Sequence, residues 1–169
     1  MAIELKSLEE VFENNFSNYY LIYKEDLPHN LPIKFRAAYY GHGQKSILKC
    51  VGDENIEHVY AYCSKSFDAE TVKKCFDYAL SDGQMRIRPN KRLSSANIKV
   101  IFISNGYSND ALELIRKTNY HKSHVQALFS STDLISCAVD ASIEKAYANS
   151  KGSDMKDYFR SLMRAQHKE

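Results

Sequence analysis

Three β-rich runs follow one another between Ile33 and Ser64 with only turns between them. Ile33–Tyr40 ends at Gly41-His42-Gly43, Ser46–Val51 ends at Gly52-Asp53-Glu54-Asn55, and His58–Ser64 follows. A parallel crossover needs about a dozen residues or more, so connections this short admit only antiparallel hairpins. Whatever else the chain builds must extend that meander.

Downstream the pattern changes. Asp68 can cap a helix through Tyr78, with Val72, Cys75, Phe76 and Leu80 on one face. Ile98–Ile103 is apolar except for Lys99, the signature of a strand buried on both faces. Ser104-Asn105-Gly106 turns the chain, Ser108 or Asn109 caps a helix through Arg116, and Val125–Phe129 reads as another buried strand. Helices over Asp133–Tyr147 and from Asp154 to about His167 follow. Ahead of the meander, Leu8, Val11, Phe12 and Phe16 predict a helix over about 7–22, opened by a Ser7/Glu10 capping box. Pro28 and Pro32 then force a loop. No internal repeat stands out. The order predicts an α/β fold: a three-layer α/β/α arrangement with a mixed central sheet, an antiparallel meander followed by a crossover helix and buried strands.

A length of 169 residues suits a single domain over 1–169. A net charge of +2 does not mark a nucleic-acid protein, so any such contact must come from clustered charge. Twelve tyrosines and no tryptophan supply aromatic surface with a polar handle. Cys50, Cys63, Cys75 and Cys137 form no CxxC pair and sit in apolar or β-rich runs, which predicts neither a disulfide framework nor a zinc site. With no leader pattern and no apolar run of about 18 residues, the expected compartment is the cytoplasm, with no membrane partner.

One stretch is more particular. Lys99-Val100-Ile101-Phe102-Ile103-Ser104-Asn105-Gly106-Tyr107-Ser108-Asn109-Asp110-Ala111-Leu112-Glu113, together with Val59–Lys65 followed by Phe67 to Phe76, resembles the Mrr branch of the restriction-endonuclease-like (PD-(D/E)XK) fold. The resemblance implies a metal-dependent nuclease scaffold with an Asp opening the second strand of the meander and Glu-x-Lys or Gln-x-Lys on the third. Lys65 then takes the lysine position and Cys63 the Glu or Gln position, while His42, Gly43, Gln44, Lys45 and Ser46 open the second strand without an acid. Asp53 and Glu54 sit at the far end of that hairpin, about 20 Å away at about 3.3 Å per residue. Mg²⁺ wants oxygen ligands, and a cysteine offers a soft sulfur. The resemblance therefore implies a degenerate catalytic motif with no metal and no other cofactor.

The densest charge is Arg86-Ile87-Arg88-Pro89-Asn90-Lys91-Arg92, four cations in a loop without aromatics. It suits phosphate contact without base stacking. His121 and His124 lack a third metal ligand, Asp140 and Glu144 share a face of the expected helix, and no Gly-rich phosphate loop is present. The expected function is a catalytically degenerate domain that binds DNA or RNA weakly through Arg86, Arg88, Lys91, Arg92 and Lys65. Two alternatives stand beside it. One is an active Mg-dependent nuclease with relocated carboxylates, from Asp53, Glu54 or Glu13. The other is a non-enzymatic interaction domain that forms a homodimer.

Overall fold

β2 (Ile33–His42) and β3 (Glu54–Ser64) pair antiparallel from Ile33↔Tyr62 to His42↔Glu54 and seed the sheet. The computed structural model describes residues 4–42, 54–90, 92–125 and 130–166. The expected strand Ser46–Val51 therefore lies outside the described residues. Glu54 and Asn55, expected in a turn, are inside β3 opposite His42 and Gly41. α1 (Leu5–Ser17) stops short of residue 22, and β-prone Leu21–Tyr23 forms β1 along β2. The Ser7/Glu10 box is not used, because α1 begins at Leu5 with Glu4 at its N-cap.

Asp68 caps α2 (Ala69–Arg86) by accepting from the Thr71 amide at 2.7 Å. The helix runs past Tyr78 because Ala79, Asp82 and Gly83 continue its buried face. A Cβ on Gly83 would lie 2.8 Å from the Ile98 Cδ1, so the glycine lets α2 approach the sheet closely. β4 (Leu93–Ser104) follows, then α3 (Asn109–Lys117), whose Ser108 cap accepts from the Ala111 amide at 3.2 Å. Of the basic segment expected as one loop, Arg86 is in the last turn of α2, while Arg88 and Arg92 lie in the connection that leads to β4.

The largest correction concerns residues 125–147. Val125 is 94% exposed, and 126–129 lie outside the described residues. In place of a helix over Asp133–Tyr147 the chain forms β6 (Ser130–Asp140), a turn and β7 (Lys145–Ala148), preceded by β5 (His121–His124). Leu134, Ser136 and Ala138 face one side of β6 while Cys137 and Val139 face the other, and all are buried. A run buried on both faces carries no helical stripe, and its short length invites confusion with a buried helix. Glu144 has a φ of 54°, which a helix interior excludes. α4 (Ser153–Gln166) ends the described chain.

Strand order is β1-β2-β3-β4-β6, with β5 and β7 both antiparallel on the remaining edge of β6. β3, β4 and β6 are parallel. Two right-handed crossovers stepping the same way put α2 and α3 on one face. There they cover Tyr60, Tyr62, Ile98, Val100, Phe102 and Leu134. α1 and α4 cover the other face over Val59, Ala61, Ile101, Ile103, Cys137 and Val139. The result is a three-layer α/β/α arrangement around a mixed sheet. Among the described residues no helix is long and apolar enough to cross a membrane.

The two crossovers are copies of one device. Ser64-Lys65-Ser66-Phe67-Asp68 and Ser104-Asn105-Gly106-Tyr107-Ser108 leave paired strand ends (Ser64↔Ser104) and enter capped helices. Phe67 and Tyr107 form a parallel bridge with rings stacked at 5.7 Å, and the Tyr107 hydroxyl donates to the carbonyls of Phe102 (2.9 Å) and Val139 (3.0 Å). The repeat escapes a sequence scan because only the strand-end serine, the aromatic and the cap recur.

Candidate functional site: a cleft over the sheet

α1 and α4 do not cover their whole face of the sheet. Side chains on that face are apolar toward the strand ends, at Ala61, Ile101 and Cys137, and turn polar toward the strand starts. β4 carries the change as Ser95-x-Asn97-x-Lys99, and the register sets Glu57, Asn97, Asp133 and His121 in one row across four strands. Above this floor the end of α1 contributes Phe16, with Tyr19 and Tyr20 just after it, and α4 contributes Met155 and Tyr158. Together they enclose a cleft of about 620 Å³.

At its base Lys99 Nζ lies 2.6 Å from the Glu57 carboxylate, and both side chains are more than four-fifths buried. The Tyr20 hydroxyl donates to the same carboxylate and accepts from Lys99 at 3.3 Å. Burial, then the Glu57 carboxylate, push the Tyr20 hydroxyl above its ordinary range, so it remains a donor. A buried ion pair is stable only when further hydrogen bonds satisfy it, and Tyr20 supplies one. Asn97, between this pair and Asp133, makes no side-chain hydrogen bond among the described residues. Its amide offers one acceptor and two donors to the cleft.

The row continues to the sheet edge. Asp133 is bonded to Lys151, and the Nδ1 of His121 lies 2.6 Å from Asp133. Burial alone would raise the Asp133 carboxyl, but Lys151 and His121 outweigh it and hold it below the ordinary carboxylate value. His121 Nε2 is 3.2 Å from the Ser123 hydroxyl. This order of contacts is that of a nucleophilic triad. Its His and Ser, however, are exposed on an edge strand, and the carboxylate is already neutralised by Lys151. His124 faces the other side, with Nε2 2.7 Å from the Thr132 hydroxyl, so the two histidines do not converge.

The residues singled out in the sequence are scattered. Lys65 is exposed beyond the end of β3 and makes no ion pair among the described residues. Arg86 and Arg92 lie at the opposite end of the sheet. Arg92 pairs with Glu54 (3.3 Å), which is about 33 Å along β3 from Ser64 at about 3.3 Å per residue. Arg86 Nε donates to Asp82 at 2.7 Å. Arg88 is exposed and makes no ion pair among the described residues, and Lys91 lies outside them. Lys65 and the basic segment thus do not form one surface.

His42, expected to open the strand beside Lys65, lies instead opposite Glu54 at the other end of β3, and residues 43–46 lie outside the described residues. Beside Cys63 and Lys65, where the resemblance implies a Mg²⁺, the donors do not fit one. β2 opens beside the end of β3 with Lys34, whose ammonium lies 3.3 Å from Glu9 of α1. Cys63 shares this neighbourhood, its thiol pushed well above the ordinary value by burial and then by Glu9. One carboxylate, one ammonium and one protonated thiol leave no oxygen cage for a hard cation. Glu13 pairs with Lys24, Glu54 is at the far end of β3, and Asp53 lies outside the described residues. No group of three His, Cys, Asp or Glu suited to a metal occurs among the described residues.

The cleft residues Glu57, Asn97, Lys99 and Tyr20 were not singled out in the sequence, although the period-two polar series at 95, 97 and 99 was the available signal. Residues 5–161 match the family model described as a domain of unknown function, DUF8052. No curated protein and no solved structure matches the chain.

Proposed function

The chain belongs to the DUF8052 family, and we propose that it is a binding domain for a small planar heteroaromatic molecule held in the cleft over Glu57, Asn97 and Lys99. The observation that carries this reading is the Asn97 amide, without a side-chain hydrogen bond among the described residues, on the floor of an aromatic-walled cleft. A side-chain amide pairs in the plane of a ring that presents an adjacent donor and acceptor, as Asn does with an adenine edge. Tyr19 and Tyr158 provide flat surface for the ring, and Lys99 and Lys151 flank its polar edge. Pockets of this size with few convergent polar groups suit such ligands.

Saturation-transfer NMR with purine, pyrimidine and quinazolinone fragments tests the reading. At least one class should bind saturably to the native chain and lose about tenfold in affinity in Asn97→Leu, since the substitution strands the ring's polar edge. Uniform silence across the panel, or binding indifferent to Asn97, contradicts it.

A second reading retains the restriction-endonuclease-like resemblance with weak nucleic-acid contact. The meander feeding a crossover helix supports the scaffold, and exposed Arg88 and Lys65 supply uncompensated cations. Fluorescence anisotropy of a labelled duplex at two salt concentrations tests it. Binding should weaken with salt and with Arg88→Ala, and no binding at low salt removes the reading.

A further inference from the structure

On the opposite face of the sheet a second cleft of about 570 Å³ lies between the segment after β1 and the last turns of α2. Arg36 of β2 lines it while being only 8% exposed. Its guanidinium sits 4.1 Å above the Tyr23 ring, a stacking arrangement that leaves the in-plane N–H donors unused. Among the described residues the Arg36 side chain makes no hydrogen bond and no ion pair, and the carboxylate that acts on it, Asp82, is bonded to Arg86 and Tyr60 instead. A guanidinium this deeply placed ordinarily has a fixed anionic partner, because desolvating it without one is costly. The cleft beside it is where such a partner fits.

A second guanidinium faces the same space. Arg86 donates its Nε to Asp82, and its terminal nitrogens make no hydrogen bond among the described residues. Asp82 also accepts from the Tyr60 hydroxyl at 2.7 Å, so its charge is committed to the helix and sheet. Burial alone would raise this carboxyl, but Arg86 and Tyr60 together bring it below the ordinary value. Two guanidiniums against one carboxylate leave the inner cleft with one positive charge in excess. Lys24, Glu25 and Asp26 also line the cleft, all three exposed, with Lys24 paired with Glu13. Water and salt screen exposed charges within about 10 Å, whereas Arg36 acts in a drier setting.

We infer that this cleft is a binding site for a compact oxyanion, the phosphoryl or carboxylate group of a small molecule, held by Arg36 and Arg86. The paired donors match the fork geometry that guanidinium makes with such groups. The site is independent of the cleft over Asn97, which opens on the other face.

Calorimetric titration with inorganic phosphate, pyrophosphate and acetate, each against sodium chloride at matched ionic strength, tests the site. Phosphate with pyrophosphate, or acetate, should bind saturably, and which of them binds assigns the phosphoryl or the carboxylate class. Arg36→Gln should weaken binding about tenfold or more, Arg36→Lys less, and Arg88→Gln not at all. Should Arg36→Gln fail to fold, the Arg36 Nε–H resonance of the native chain must shift on titration. No saturable binding by any of the three, a still resonance, or binding that survives Arg36→Gln unchanged overturns the inference.

Discussion

Glu57 and His58 are neighbours on β3 and face opposite sides of the sheet, and the two sides treat their polar groups in opposite ways. Glu57 is met by an ammonium and a hydroxyl. His58 is fully buried, and neither ring nitrogen has a hydrogen-bond partner among the described residues. Burial, then the charges of Arg36 and Arg86, lower its pKa from 6.5 to about 4. Satisfied groups hold a structure rigid, and unsatisfied ones cost stability that is retained only where something else depends on them. Around Glu57 the unused polar group is the Asn97 amide. Around His58 it is the Arg36 guanidinium.

The largest consequence is a dependence on pH. His58 titrates near 6.5 when unfolded and near 4 when folded, so the unfolded chain binds the extra proton between those values. Stability is complete above pH 6.5 and falls as pH drops toward 4, by about 3 kcal/mol from this residue alone. Urea unfolding of His58→Phe against the native chain at pH 7 and pH 4.5 measures it. The variant should match or exceed the native stability at pH 7 and lose less on acidification. An equal acid loss in both would break the contrast between the two faces.

Next in size, Lys99→Met should destabilise by about 2 kcal/mol, because it leaves Glu57 largely buried without its counter-charge. The double variant Lys99→Met/Glu57→Gln should recover most of that loss. If the double variant is as unstable as the single, the pair is held by packing and not by charge. The two crossover units invite a smaller comparison. Asp68→Ala and Ser108→Ala each remove one cap bond and should cost about 1 kcal/mol apiece by thermal unfolding. Arg88→Ala, with no side-chain partner among the described residues, should change stability by less than about 0.5 kcal/mol.

What the sequence revealed follows burial. The Asp68 and Ser108 caps, the buried strand through Ile98–Ile103 and the layered mixed sheet were readable, because each rests on a local pattern with one physical meaning. β6 was not, since a run apolar on both faces has no period to distinguish it from a buried helix. That misreading put Asp133 on a helix and hid its place in the polar row. The start of β4 was missed for a related reason: Ser95 and Asn97 look like loop residues until the register shows them alternating with Lys99 over a half-covered sheet. The resemblance directed attention to Cys63 and Lys65 at the end of β3, where β2 brings Lys34 and no acid. The open surface lies instead toward the strand starts, where α1 and α4 leave the sheet uncovered.

The most direct test of the cleft over Asn97 is a ¹H–¹⁵N titration that follows the Asn97 side-chain amide as a planar heteroaromatic fragment is added. The account predicts a saturable shift of that resonance, with Lys99 and Met155 responding at the same ligand concentration and Arg36 unmoved. A fragment that binds while the Asn97 side chain stays still would contradict it.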